Sequence, residues 1–193
     1  MRAFIAIDIP AEICERIREL LAALRRTPTD VRWSRPEGMH ITLKFLGEIP
    51  LEKVAAVKAR LGTIHHPAPL AIQIQGAGFF PNERAPRVIW LGIEAGAALP
   101  ALAAEIDQSL LPLGIPKENR PFSGHLTLGR VRTVDGFTSL REILRQREPL
   151  EMGSFTATEF CLYESKLAPG GSLYSKVARY PLPTGLLRDS GQG

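Results

Sequence analysis

Two of the four histidines in the chain stand in matching frames. Residues 35–43 run Arg35-Pro36-Glu37-Gly38-Met39-His40-Ile41-Thr42-Leu43, and residues 120–128 run Arg120-Pro121-Phe122-Ser123-Gly124-His125-Leu126-Thr127-Leu128. Both read RPxxxHxTL. An imidazole titrates near ~6.5, so at neutral pH one ring can start neutral and another protonated. Such a pair can take a proton from an attacking oxygen and give one to a leaving oxygen, each role contributing about 10²–10⁴-fold in rate. Opening or closing a phosphodiester needs those two transfers. The threonine two residues after each histidine adds a hydroxyl that can donate to a non-bridging phosphate oxygen and hold the group in line.

A strand is the element that would position these groups. Alternate side chains point to opposite faces, so His40, Thr42 and Lys44 are expected on one face, and Ile41, Leu43 and Phe45 on the other. In the second copy His125 and Thr127 share a face opposite Leu126 and Leu128. The apolar sets must face the core, which sends each His–Thr pair toward a cleft. His40 and His125 are therefore the candidate catalytic residues, with Thr42, Thr127 and Lys44 as candidate substrate-binding groups. Arg130 should point away in a regular strand, but a bulge at Gly129 would turn it into the cleft, where it could clamp a phosphate bidentately. Two copies of one frame indicate a duplicated lobe, each copy supplying half of a site.

Less dramatic readings compete. A single HxT on a strand is weak evidence, and a duplicated strand could merely line a lobe interface. No cysteine or carboxylate stands at ligand spacing beside either motif, so neither a metal nor a cofactor is expected. His65-His66-Pro67 falls in a loop with diverging rings, consistent with solvated histidines. Trp33 and Trp90 could stack on a base but suit core packing better, while Phe79-Phe80-Pro81 lies in a Gly-rich loop and is the stronger candidate for an exposed aromatic edge. Cys14 and Cys161 belong to no CxxC pair and fit two thiols of a reducing compartment.

The remaining pattern is that of a globular α+β protein. Apolar residues make up 45% and charged residues 23%, and the net charge is +4, compatible with a phosphate-bearing partner but without a polybasic tail. The N-terminal apolar run is too short for a signal peptide, and no stretch approaches ~20 apolar residues. These features predict a cytoplasmic protein, and a monomer is expected. Strands are predicted at 3–9, 39–46, 70–75, 87–93, 124–131, 154–163 and 172–180. Helices are predicted at 11–24, 50–61, 98–111 and 137–146. In the second helix Leu51, Val54, Val57 and Leu61 are expected inward, and Gly76 to Arg87 reads as a loop. The order of elements in the second half resembles the first, giving mainly antiparallel sheets. A single domain over residues 1–182 with a frayed tail over 183–193 is expected.

With these residues in place the chain resembles the RNA 2′,3′-cyclic phosphodiesterases, also called 2′-5′ RNA ligases, of the two-histidine phosphoesterase superfamily. The resemblance spans roughly residues 2–182. It rests on the two HxTx motifs together with Arg2-Ala3-Phe4-Ile5-Ala6-Ile7, Val31-Arg32-Trp33, Lys44-Phe45-Leu46-Gly47-Glu48, Leu162-Tyr163-Glu164-Ser165, Gly171 and Tyr174. It implies a bilobal fold with a cleft between two antiparallel sheets and helices outside. It also implies metal-independent hydrolysis of RNA 2′,3′-cyclic phosphate ends to 2′-phosphomonoesters, with His40 as proton donor and His125 as acceptor. Thr42 and Thr127, and less directly Arg130, are implied as phosphate binders. The residues themselves do not say which ring is the acid, nor do they separate hydrolysis from 2′-5′ ligation or from RNA-end binding without turnover.

Overall fold

The computed structural model describes residues 1–65, 68–168 and 171–183. His66, Pro67 and residues 184–193 of the tail expected over 183–193 lie outside the described residues. Among the described residues nine strands form two antiparallel sheets. The first sheet contains β1 (Arg2–Asp8), β3 (His40–Glu48), β8 (Glu159–Ala168) and β9 (Gly171–Pro181), in the order β3-β1-β8-β9. The second contains β2 (Val31–Trp33), β4 (Leu70–Phe80), β5 (Val88–Glu94), β6 (His125–Val131) and β7 (Glu151–Ala157), in the order β2-β6-β5-β4-β7. Setting β2 aside, the sheets correspond strand for strand: β3 with β6, β1 with β5, β8 with β4, β9 with β7. The duplication seen in the two motifs thus extends to whole sheets.

Four α-helices complete the fold among the described residues: α1 (Ala11–Leu24), α2 (Leu51–Leu61), α3 (Ala98–Leu110) and α4 (Phe137–Arg145). α1 has the stripe expected of an amphipathic helix, with Ile13, Ile17, Leu20, Leu21 and Leu24 all buried. α2 departs from expectation at its start, where Leu51 is exposed and only Val57 and Leu61 are fully inward. The two longest helices change partners. α1 follows β1 of the first sheet yet packs against β7 of the second, where Arg16 donates to the Met152 carbonyl at 3.0 Å. α3 follows β5 of the second sheet yet packs against β3 of the first. No helix among the described residues is long and apolar enough to cross a membrane.

Two sequence readings are corrected. The segment 76–80 is strand rather than loop, because β4 continues through Phe80 after an irregularity at Gly76, whose φ is +67°. Gly78 keeps that strand close to its neighbour, since a Cβ there would overlap the Trp90 ring. The strand expected over 154–163 is two strands, β7 and β8, which part at Thr158 and enter different sheets. β2, only three residues long, was too short to register as a periodic pattern.

Candidate active site

β3 and β6 lie against each other and carry the two motifs at their starts. Their alternation begins as the sequence predicts. Ile41 and Leu43, and likewise Leu126 and Leu128, are buried, whereas His40, Thr42, His125 and Thr127 are partly open. Each imidazole is fixed in the same way. Nδ1–H of His40 donates to the Gly38 carbonyl at 2.8 Å, and Nδ1–H of His125 donates to the Ser123 carbonyl at 2.9 Å. In both rings the bond to the carbonyl selects the Nδ1–H tautomer and leaves Nε2 as the group that can exchange a proton. His65 makes the same kind of local bond to Thr63 at 2.8 Å but is exposed in a loop, so the bond alone does not mark a site.

The alternation then breaks identically in both copies. In β3, Ile5 pairs with Lys44 and Ala6 with Thr42, which leaves Leu43 as the extra residue of a bulge. In β6, Ile89 pairs with Gly129 and Trp90 with Thr127, leaving Leu128 as the extra residue. The bulge resets which face follows. Arg130 therefore stands on the face of His125 and Thr127, exposed, with the extra residue at Leu128, one before the Gly129 expected to supply it.

The same reset overturns the expectation for Lys44. Its side chain enters the core at 2% exposure, forms an ion pair with Asp107 of α3 and donates to the Pro116 carbonyl at 2.9 Å. Asp107 also accepts the Glu118 backbone N–H at 3.0 Å. With its charge answered there, Lys44 joins α3 to the back of β3 and is not available to substrate. Phe45 takes the cleft position instead, 65% exposed and 6.2 Å from the Phe4 ring. It is the counterpart in β3 of Arg130 in β6.

The surroundings of the two rings differ. His40 stacks on Phe4 with centroids 4.5 Å apart and planes 27° apart, and Tyr174 meets it edge-on at 5.1 Å. Burial lowers the His40 pKa below the ordinary imidazole value, partly opposed by the Gly38 carbonyl and the Asp8 carboxylate. Beside the ring is a cavity of about 340 Å³ lined by Asp8, Glu37, Tyr163, Tyr174 and Lys176 among others. The Tyr163 hydroxyl donates to Asp8, and burial with this bond pushes its pKa well up. Asp8, Glu159 and Cys161 converge closely enough to suggest metal ligands. Lys176 pairs with both carboxylates, at 3.2 Å for Glu159, so a cation of the protein's own already answers their charge. His125 has a lighter environment, touched edge-on by Phe80 at 5.1 Å.

Trp90 lies against Phe80 and Gly78, half-buried and in register with Thr127, so it stands on the face of His125 rather than in the core expected for it, whereas Trp33 packs against the core. Phe4, Phe45, Tyr163 and Tyr174 were not singled out as site residues from the sequence. The signal for Phe4 was weak, because β1 is apolar on both faces.

The two adjoining strands carry two imidazoles, two hydroxyls and one guanidinium on their partly open faces, a set suited to acid–base chemistry on a phosphate ester. Comparison with known proteins agrees. The family model described as LigT like Phosphoesterase matches residues 7–90 and again residues 91–174. The chain belongs to this phosphoesterase family. A relative from Archaeoglobus fulgidus called RNA 2′,3′-cyclic phosphodiesterase is 34% identical over 177 residues, covering 92% of this chain and 98% of the relative. One of the same name from Escherichia coli is 33% identical over 185 residues, covering 94% and 96%. The crystal structure of Escherichia coli LigT complexed with 3′-AMP superimposes with a TM-score of 0.77 at 33% identity, covering 94% of this chain and 97% of the other.

Proposed function

We propose that this chain is an RNA 2′,3′-cyclic phosphodiesterase in which His40 and His125 act as an acid–base pair. The observation that carries the reading is the pair of bulged strands. Each sets a His and a Thr on one face, with Nδ1 tied to the carbonyl two residues back and Nε2 left free. The nucleotide bound by the Escherichia coli homologue supports a nucleotide ligand here.

In the hydrolytic step His125 Nε2 removes a proton from water as its oxygen attacks phosphorus. The bond from phosphorus to O3′ breaks, and protonated His40 gives its Nε2 proton to that oxygen. The product is a 2′-phosphomonoester with a free 3′-hydroxyl. Thr42 and Thr127 donate to the non-bridging oxygens, and Arg130 offers a bidentate charge as these oxygens gain negative character. The resting pKa of His40 is low for an acid. A bound phosphate anion favours the protonated ring, so the substrate itself charges the acid it needs. Ligation would use the same groups in the same roles, with a 5′-hydroxyl in place of water as the attacking group.

Incubating an RNA oligomer bearing a 2′,3′-cyclic end with the protein in EDTA and resolving the products tests this reading. A 2′-phosphate product is expected, with His40→Ala and His125→Ala each slower by about 10²–10⁴-fold. A substrate whose leaving group is p-nitrophenolate needs little protonation, so it should rescue His40→Ala but not His125→Ala. Loss of activity in EDTA, or full activity in either variant, would refute the mechanism. A 2′-5′ joined product would reassign the attacking group from water to a 5′-hydroxyl.

A further inference from the structure

Arg32 and Arg130 stand directly opposite each other across the β2–β6 ladder. Both are exposed. Val31 and Trp33, the neighbours of Arg32 on β2, pack against the hydrophobic core, so Arg32 points to the other face, the one that holds Arg130, Thr127 and His125. Like charges directly opposed in an antiparallel pair are destabilising. Yet among the described residues neither guanidinium has a carboxylate or hydrogen-bond partner, and Asp30, the acid beside them, is 3.7 Å from Arg132.

The strand that brings Arg32 has no counterpart in the other sheet, since β2 is the one strand outside the duplicated pattern. Gly129 admits it: a Cβ at that position would come within 2.6 Å of Val31 Cγ1 and 3.0 Å of Trp33 Cε3. The fold has thus accommodated an extra strand whose outward side chain is a second unpaired cation beside the first.

A cyclic phosphodiester carries a single negative charge and two non-bridging oxygens. Thr42, Thr127 and Arg130 are enough to engage them, and a free cyclic nucleotide leaves nothing for Arg32. We propose that Arg32 is a specificity-determining residue that holds the phosphate on the 5′ side of the terminal nucleoside, so that the site favours RNA chains over free cyclic nucleotides. Opposed residues in such a ladder have Cβ atoms about 5 Å apart, and two long side chains rooted there can diverge to neighbouring phosphates of one strand. The proposal rests on the reading of the site as a phosphodiesterase with Arg130 at the reacting phosphate.

The test compares wild type, Arg32→Gln and Arg32→Lys on adenosine 2′,3′-cyclic phosphate and on a trinucleotide ending in it. Binding of the corresponding 2′-phosphate products is measured by titration. Arg32→Gln is expected to lose about tenfold in kcat/KM and in affinity on the trinucleotide, with the mononucleotide unchanged. Its slope of log affinity against log salt for the trinucleotide should fall by about 0.7. Arg32→Lys should retain most of the salt slope. Equal loss on both substrates would place Arg32 on the reacting phosphate and overturn the proposal, as would no loss on either. If wild type turned over neither substrate, the hydrolase reading would fail, and the binding comparison would still decide the role of Arg32.

Discussion

The Phe4 ring lies stacked against His40, with centroids 4.5 Å apart, and Tyr163 lies beside both rings, 5.1 Å from Phe4 and 6.2 Å from His40. These rings take water from the imidazole, and loss of water is the main reason its pKa lies below the ordinary value. Phe4→Leu is expected to raise the His40 pKa toward about 6.5, followed by NMR titration of the ring. The depressed pKa also fixes a stability window. Between the folded value and about 6.5 the unfolded chain binds more protons, so the contribution of His40 is fully present above about 6.5 and is lost as pH falls through the folded pKa. Denaturant midpoints measured across that range should rise with pH in wild type, and less steeply in His40→Gln.

Rate profiles offer a second check on the same ring. The pH dependence of kcat/KM reports the free enzyme and that of kcat the complex. With His40 as the acid, the alkaline limb of kcat/KM should fall below about 6.5, and the limb of kcat should lie higher because the bound phosphate favours the charged ring. Coincident limbs, or limbs that persist in His40→Ala, would remove His40 from the acid role.

The pair formed by Lys44 and Asp107 predicts a stability effect rather than a kinetic one. Both side chains are buried, and removing one partner leaves the other charge without compensation. Lys44→Met is expected to cost about 3–5 kcal/mol in urea unfolding. The double change Lys44→Met with Asp107→Leu should recover a large part of it, since an apolar replacement of a buried pair is often close to neutral. Below the unfolding transition, the KM of Lys44→Met should match wild type. A raised KM with unchanged stability would return Lys44 to the cleft.

Phe45 presents an aromatic face to the groove at 65% exposure, so its removal should scarcely alter folding. Stacking of a base on an aromatic ring is worth about 1–3 kcal/mol by alanine substitution. Phe45→Ala is therefore expected to raise KM for cyclic-phosphate substrates about tenfold or more with little change in kcat, and Phe45→Trp should restore it. Unchanged KM in the alanine variant would leave Phe45 without a contact to the base.

The two frames exposed the chemistry because a period of two and a repeated spacing survive in the sequence. His40, Thr42, His125 and Thr127 stand on the faces that alternation assigns. What alternation could not carry past is a bulge. Gly129 hinted at one in β6, and Arg130 emerged where that hint placed it. β3 bulges at Leu43 with no glycine to announce it, so Lys44 and Phe45 exchanged faces relative to the simple pattern. The break at Thr158 was hidden for a related reason: β7 and β8 are nearly continuous in sequence, and only their partners separate them. The aromatic cluster beside His40 depends on β1, β3 and β8 becoming neighbours, a relation written in pairing rather than in local composition.

The exchange of α1 and α3 between the sheets bears on fragment complementation. A chain divided near Pro86 would yield two pieces of comparable architecture, one bearing His40 and the other His125. Each piece would hold a helix whose seat is on its partner: α1 without β7, and α3 without β3. Neither piece alone could cover its apolar faces, whereas the two together could reconstitute the clasp. The folding of either half and the meeting of the two imidazoles are thereby one event.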